Sequence, residues 1–167
     1  MAKEDLIAAL DEIHRAELTA TFEFLAHASE LRNMGAVRLA ETMQAEAGEE
    51  LAHAGIIGDR IYFLGGRPTY TTLAETHPTD NLVDVVERIV TMEMGAIARL
   101  NRAISICHAE NDAGTRVMLE AILIDEETHL SEAQLMLGQI ESMGPQGYLM
   151  CICGGGVPGA THRSVSG

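Results

Sequence analysis

The sequence predicts an all-α fold: a four-helix bundle with one long crossover loop, a short C-terminal fifth helix and a flexible tail. Three observations predict it. Apolar residues recur at steps of three and four in four long segments, the periodicity of a helix that buries one face. The first and third breaks between segments are short, whereas the middle one spans about 16 residues (65–80). The 167 residues suit one domain with an appended tail. The bundle is placed over 1–145, the fifth helix over 146–153 and the Gly/Ser-rich tail over 154–167.

The first helix is expected over 4–32, with Leu6, Leu10, Ile13, Ala20, Phe24, Ala28 and Leu31 on its seam. Asn33, Met34 and Gly35 break it, since Gly accepts the left-handed conformation that closes a helix. The second is expected over 36–64, with Leu39, Met43, Ile57, Ile61 and Leu64 inward; Gly65, Gly66 and Pro68 stop it. A polar, Thr-rich stretch over 69–80 follows. The third helix is expected over 81–110, with Leu82, Val86, Ile89, Ala96, Leu100, Ala103 and Cys107 inward. Asn111 to Gly114 form a turn that supplies an N-cap. The fourth is expected over 115–143, with Leu119, Ile122, Ala133, Met136 and Ile140 inward, ended by Gly144 and Pro145.

Connection lengths set the topology. Short turns make each helix pair an antiparallel hairpin. The middle connection reaches ~50 Å at ~3.3 Å per residue, and a ~28-residue helix is ~42 Å long. The loop can therefore travel the full length of the bundle.

Composition excludes several roles. Eleven basic against 25 acidic residues leave a net charge of -14, which opposes nucleic-acid binding and favours cations. With no Trp and 4% aromatics, platforms for stacking bases are not expected. No run of ~18 apolar residues suggests a membrane span. The N-terminus, Met1-Ala2-Lys3-Glu4-Asp5, has no signal-peptide pattern. Three cysteines do not suggest a disulfide framework, and a cytoplasmic location is expected.

The seams contain gaps, and metal-ligand residues fill them. Glu17 lies between Ile13 and Ala20, and Glu93 between Ile89 and Ala96. Glu50 and His53 lie between Met43 and Ile57, and Glu126 and His129 between Ile122 and Ala133. The spacing repeats: Glu17 to Glu50 is 33 residues, and so is Glu93 to Glu126. One offset of 76 carries Glu17, Glu50 and His53 onto Glu93, Glu126 and His129. It also carries Leu6, Leu10, Ile13 and Phe24 onto Leu82, Val86, Ile89 and Leu100. Two related hairpins with pseudo-twofold symmetry are expected. Each Glu-x-x-His puts both side chains on one helix face. A lone Glu-x-x-His is weak evidence and reads as surface charge. Two copies in register, each with a partner Glu, are the ligand set of a di-metal carboxylate bundle. Oxygen-rich ligands with one imidazole per metal suit Fe or Mn better than structural zinc.

At this point the chain resembles the bacterioferritins, within the ferritin-like superfamily, over roughly residues 4–153. The resemblance is carried by the ligand motifs and by Ile61-Tyr62-Phe63-Leu64-Gly65-Gly66-Arg67-Pro68. Glu120-Ala121-Ile122-Leu123-Ile124-Asp125-Glu126-Glu127-Thr128-His129 and Met143-Gly144-Pro145-Gln146-Gly147-Tyr148-Leu149 carry it further. It implies iron storage in a hollow shell of 24 subunits, built from dimers. It implies a ferroxidase centre holding two Fe ions per subunit, with Mn or Zn able to substitute. By motif position Glu17 and His53 would hold one iron, Glu93 and His129 the other, and Glu50 and Glu126 would bridge.

The chain also departs from the family pattern. The family's haem-ligating Met position is Leu51, which has no donor atom, so haem is not expected here. A mixed shell with a second, haem-binding chain is compatible with this. The tyrosine usual beside the di-iron centre is Phe24, and the family's inner-surface His is Ala45, with Glu49 as its acidic companion. Cys151 and Cys153 sit where the fifth helix would line a channel and read as apolar filler. His27, His108 and His162 read as surface residues, as does Glu46 unless it serves an interior face. The rival functions are a rubrerythrin-like peroxidase and a non-catalytic shell subunit. The first would call for a Cys-x-x-Cys, which the chain does not contain. The intact ligand set argues against the second.

Overall fold

The computed structural model describes residues 2–76 and 79–152. The tail placed over 154–167, Cys153 and His162 lie outside the described residues. Four helices make up the fold: α1 (Ala2–Asn33), α2 (Val37–Phe63), α3 (Leu82–Glu110) and α4 (Ala113–Ile152). α4 is interrupted at Gly144 (φ 75°, ψ 156°), directly before Pro145. Residues 145–152 turn off there as the short fifth helix that the bundle was expected to carry.

Local chemistry fixes each boundary. Gly35 (φ 83°) closes α1, with the Ala36 N–H donating to the Leu31 carbonyl at 2.8 Å. Gly65 (φ 83°) closes α2 in the same way, with the Gly66 N–H on the Ile61 carbonyl at 2.9 Å. Both satisfy carbonyls that a helix end leaves open. The Asn81 side chain accepts from the Val83 N–H at 3.0 Å and caps α3. Left-handed Asn111 (φ 56°) ends α3. The Asp112 carboxylate then accepts from the Thr115 N–H at 2.9 Å, so α4 begins two residues before the position that the apolar periodicity suggests.

The crossover runs along α1. Asp11 accepts from the Thr69 N–H at 2.6 Å. The Arg15 guanidinium donates to the carbonyls of Thr71 and Thr72 at 3.3 and 3.2 Å. The Thr19 hydroxyl accepts from the Leu73 N–H at 2.8 Å. The Tyr70 ring meets His14 edge-on at 4.9 Å. The loop thus climbs past residues 11, 15 and 19 and delivers α3 to the far end of the bundle. α1 and α3 are antiparallel: Glu12 pairs with Arg99 and Arg102, while His27 lies near Arg88.

α1 packs on α2 and on α3, and α4 packs on α3 and on α2. Their seams form two apolar clusters, not one. Phe24, Leu31, Met43, Val86, Ile89 and Ile140 belong to the first. Leu6, Leu10, Ile57, Ile61, Leu100 and Leu119 belong to the second. A polar layer containing Glu17, Glu50, Glu93 and Glu126, each 1% exposed, separates them. Arg60 ties the hairpins beyond the second cluster, donating to Thr115 at 2.7 Å and to Asp112 at 2.9 Å. No helix among the described residues is long and apolar enough to cross a membrane.

Gly66 is the tightest point of the α2 stop. A Cβ there would lie 2.7 Å from the Ile7 side chain and 3.0 Å from the Ile61 side chain. Gly66→Ala is expected to cost ~1–3 kcal/mol through overpacking. Thermal unfolding would show it as a drop of several degrees, and an unchanged midpoint would contradict the packing.

Candidate metal centre

Each of the four helices brings one glutamate to the middle of the bundle because each seam is interrupted there once. α2 and α4 also bring a histidine one turn on, since residues at i and i+3 share a helix face. Two groups of four result. In one, atoms of Glu17, Glu50, His53 and Glu126 all lie within 4.8 Å of one another; in the other, atoms of Glu50, Glu93, Glu126 and His129 do. The structure therefore brings all six sequence-predicted residues together. Glu50 and Glu126 belong to both groups, whereas each Glu–His pair, Glu17 with His53 and Glu93 with His129, belongs to one.

The imidazoles turn Nδ1 inward. His53 Nδ1 is 3.1 Å from Glu126 and 3.4 Å from Glu50. His129 Nδ1 is 3.5 Å from Glu50 and 3.9 Å from Glu126. Their Nε2 atoms point the other way. His53 Nε2 is 3.5 Å from Asp125, and His129 Nε2 is 3.1 Å from Glu46 and 3.4 Å from Glu49.

Burial of so many acids distorts their proton affinities. Burial raises Glu17 well above the usual carboxylate range, and the neighbouring Glu50, Glu126 and Glu93 push the same way. Burial, then Glu126, pushes Glu93 up to about 11. Burial also opposes ionisation of Glu50, but contacts with His129, His53 and Glu17 overcome it and hold Glu50 at about 2. Burial would lower both histidines; contacts with Glu126 and Glu50 instead raise His53 to about 10. Glu50 and the charges of Glu46 and Glu126 raise His129 to about 9. Without a cation the cluster thus holds protons on Glu17, Glu93 and both histidines around ionised Glu50.

The donor set fits a metal pair. Glu17 Oε1, both Glu50 oxygens, Glu93 Oε1, Glu126 Oε1 and both Nδ1 atoms are buried and make no hydrogen bond of ordinary geometry. Buried polar atoms are normally satisfied. These donors converge where cations would satisfy them.

Several residues lie where the helical pattern did not place them. His27, expected at the surface, is 1% exposed. α3 covers it in a cleft shared with Thr19, Glu23, Asp84 and Arg88. Burial and the Arg88 charge hold it down to about 4. His14 is buried too, donating from Nδ1 to the Ala54 carbonyl at 2.8 Å. Glu46 is half-buried against His129 and with Glu49 forms a third carboxylate–imidazole group. Phe24 lines a cleft with Glu93 and His129. Leu51 is exposed on α2, and Cys151 is exposed on the C-terminal segment.

Comparisons with known proteins agree with this geometry. The Ferritin-like domain family profile matches residues 7–143. The bacterioferritin of Streptomyces coelicolor is 33% identical over 148 residues, covering 89% of each chain. The bacterioferritin of Mycobacterium leprae is 31% identical over 144 residues, 86% of this chain and 91% of that one. Rhodobacter capsulatus bacterioferritin superposes with a TM-score of 0.85 at 26% identity, covering 89% of this chain and 92% of that one. Its structure is described as having a metal-free dinuclear site and a haem iron.

The proton affinities set a pH dependence for the metal-free protein. Glu93, His53 and His129 have folded values above their ordinary 4.5, 6.5 and 6.5. Their contribution to stability is full below those ordinary values. It is lost as pH climbs towards about 11, 10 and 9. Glu50 acts oppositely, contributing above 4.5 and losing its effect as pH falls through about 2. The metal-free protein is expected to melt at lower temperature at pH 9 than at pH 6.5. Glu93→Gln, which cannot ionise, should flatten that decline; an equally steep decline would contradict the assignment.

Proposed function

The chain belongs to the ferritin-like family and, within it, to the bacterioferritins, and on that premise we propose that it is an iron-storing ferroxidase. The single observation that supports this best is the pair of overlapping four-residue groups sharing Glu50 and Glu126. In this reading Glu17 and His53 hold one iron, Glu93 and His129 the other, and Glu50 and Glu126 bridge the two. Iron is both substrate and cargo. Two Fe(II) ions each give one electron, and together they reduce oxygen or peroxide by two electrons.

The protein's own groups prepare this step. Glu17, Glu93, His53 and His129 release their protons as cations arrive, because a ligand must be deprotonated to bind. The carboxylates then offer hard, anionic oxygens that favour Fe(III) over Fe(II). The apolar clusters above and below exclude water from the ends of the site. Phe24 puts a ring without a hydroxyl beside Glu93 and His129. It therefore supplies neither a proton nor a phenolic electron. Leu51 has no thioether to offer a haem in the family's way, and a mixed shell with a second, haem-binding chain is compatible with this.

A shell is part of the reading. Phe22, Leu25, Leu51 and Ile56 on α1 and α2 are large apolar side chains exposed on the single chain, and a subunit interface would bury such groups. We place the chain in a 24-subunit shell in the cytoplasm, with the channel-lining segment at 145–152 carrying Cys151.

Stopped-flow oxidation of Fe(II) tests the chemistry. Glu50→Ala is expected to slow the fast phase about 100-fold, ~2.7 kcal/mol of barrier, while the assembled mass in size-exclusion chromatography stays unchanged. An unchanged rate would remove the site assignment. A wild-type mass of one or two subunits would remove the shell.

A further inference from the structure

Away from the central cluster, α1 and the first turns of α3 enclose a cleft of about 470 Å³. Thr19, Glu23, His27, Asp84, Glu87 and Arg88 line it. None of them belongs to the central carboxylate–imidazole groups. His27 follows Glu17 on α1 by ten residues, which places it ~15 Å further along the helix axis at 1.5 Å per residue. Glu87 and Arg88 are exposed at the rim, so the cleft opens to solvent on the single chain.

His27 is the buried wall of this cleft. Its ring is 1% exposed, and among the described residues neither Nδ1 nor Nε2 has a hydrogen-bond partner. Buried polar atoms are normally satisfied. Glu23, one turn back on the same helix, brings Oε2 to 3.6 Å from Nε2. That is longer than a hydrogen bond, which ends near ~3.2 Å. It is close to the ~3.4 Å that separates two donors on one tetrahedral ion with metal–ligand bonds of ~2.1 Å. Burial and then the Arg88 charge hold His27 down to about 4, so the ring is neutral near pH 7 and can offer a lone pair without first losing a proton. Charge selects the sign of the ligand. Glu23, Asp84 and Glu87 set three carboxylates against the one guanidinium of Arg88, which favours a cation over an anion.

We propose that Glu23 and His27 form a second metal site, separate from the central cluster, that takes a single divalent transition-metal ion such as Zn(II). His27 Nε2 and Glu23 Oε2 are its two protein ligands, and the cleft has room for the waters that complete the coordination. Asp84 and Glu87 offset the charge of the ion from the α3 wall, while Arg88 opposes it. An imidazole beside a carboxylate selects zinc or iron over magnesium or calcium, which prefer oxygen alone. The site does not depend on the function proposed above, because it uses none of the residues of that centre.

Crystals of the full protein soaked in Zn(II) and measured at the zinc edge, together with equilibrium dialysis against Zn(II), test this. Wild type is expected to show an anomalous peak between Glu23 and His27. It should also hold one Zn(II) per subunit more than Glu23→Gln does. Glu23→Gln, at a partly exposed position, should lose that peak and keep those of the central cluster. His27→Gln should behave in the same way, and Glu23→Gln decides the matter if the buried histidine proves necessary for folding. Arg88→Gln should bind the ion more tightly, because an opposing charge is gone. A wild type without the peak would overturn the site, as would a Zn(II) count that Glu23→Gln leaves unchanged. Weaker Zn(II) binding by Arg88→Gln would overturn the assigned charge balance and the cation with it. A peak at His27 with none in the central cluster would overturn the proposed centre and leave this site standing.

Discussion

Four glutamates and two histidines lie together in the middle of a helical bundle, and the rest of the structure follows from that burial. An ionised carboxylate away from water costs several kcal/mol unless a cation or a proton compensates it. Around ionised Glu50 the metal-free cluster uses protons, on Glu93 and Glu17 and on both histidines. The bundle must therefore be stabilised from either side of this layer. It has an apolar cluster at each end, one around Phe24, Met43 and Ile140 and one around Leu10, Ile57 and Leu119. Helices of 27 to 32 residues in α1, α2 and α3 are long enough to cross both clusters and the layer between them.

The crossover follows from the same requirement. Two related hairpins can bring their Glu-x-x-His turns face to face only if α3 starts at the far end from the close of α2. A short connection would start α3 beside the end of α2 and put Glu93 in the wrong half of the bundle. The loop instead follows α1, held by Asp11, Arg15 and Thr19. These three residues sit one turn apart on the outer side of the helix that carries Glu17 inward. One helix thus positions both a carboxylate of the buried cluster and the path of the chain.

The fold and the centre were legible because both depend on periodicity. A glutamate that interrupts an apolar seam is visible as a break in a pattern, and a repeat at offset 76 shows that the break is not accidental. The fifth-helix break at Gly144 was legible from its Gly-Pro chemistry. His14 and His27 were not legible, because their burial depends on what lies over them. Tyr70 of the crossover meets His14, and α3 with Arg88 covers His27. Helical spacing carries no information about either neighbour. Asp125 and Glu49 were hidden for the opposite reason: an exposed acid on a helix looks like solvated surface until a distance to His53 or His129 is known.

The repeat also shows where symmetry was abandoned. Thr42 and Glu46 line a cleft with Glu93, His129 and Glu132 on one side of the centre. Their counterparts at offset 76 are Met118 and Ile122, which line a cleft with His53 and Ile56 on the other side. The six inner groups keep the twofold relation while the approaches to them do not. The cleft beside His129 sets Glu46 and Glu132 among Phe24, Met43, Ile89, Ala133 and Met136, whereas the cleft beside His53 sets Glu49 and Asp125 among Ile56, Met118, Ala121 and Ile122. Electrostatic attraction over such short, partly desolvated distances is stronger than over open surface. The two halves of the cluster consequently lie in unequal fields, because Glu46 adds a carboxylate 3.1 Å from His129 Nε2 while Ile122, at the matching position beside His53, adds none.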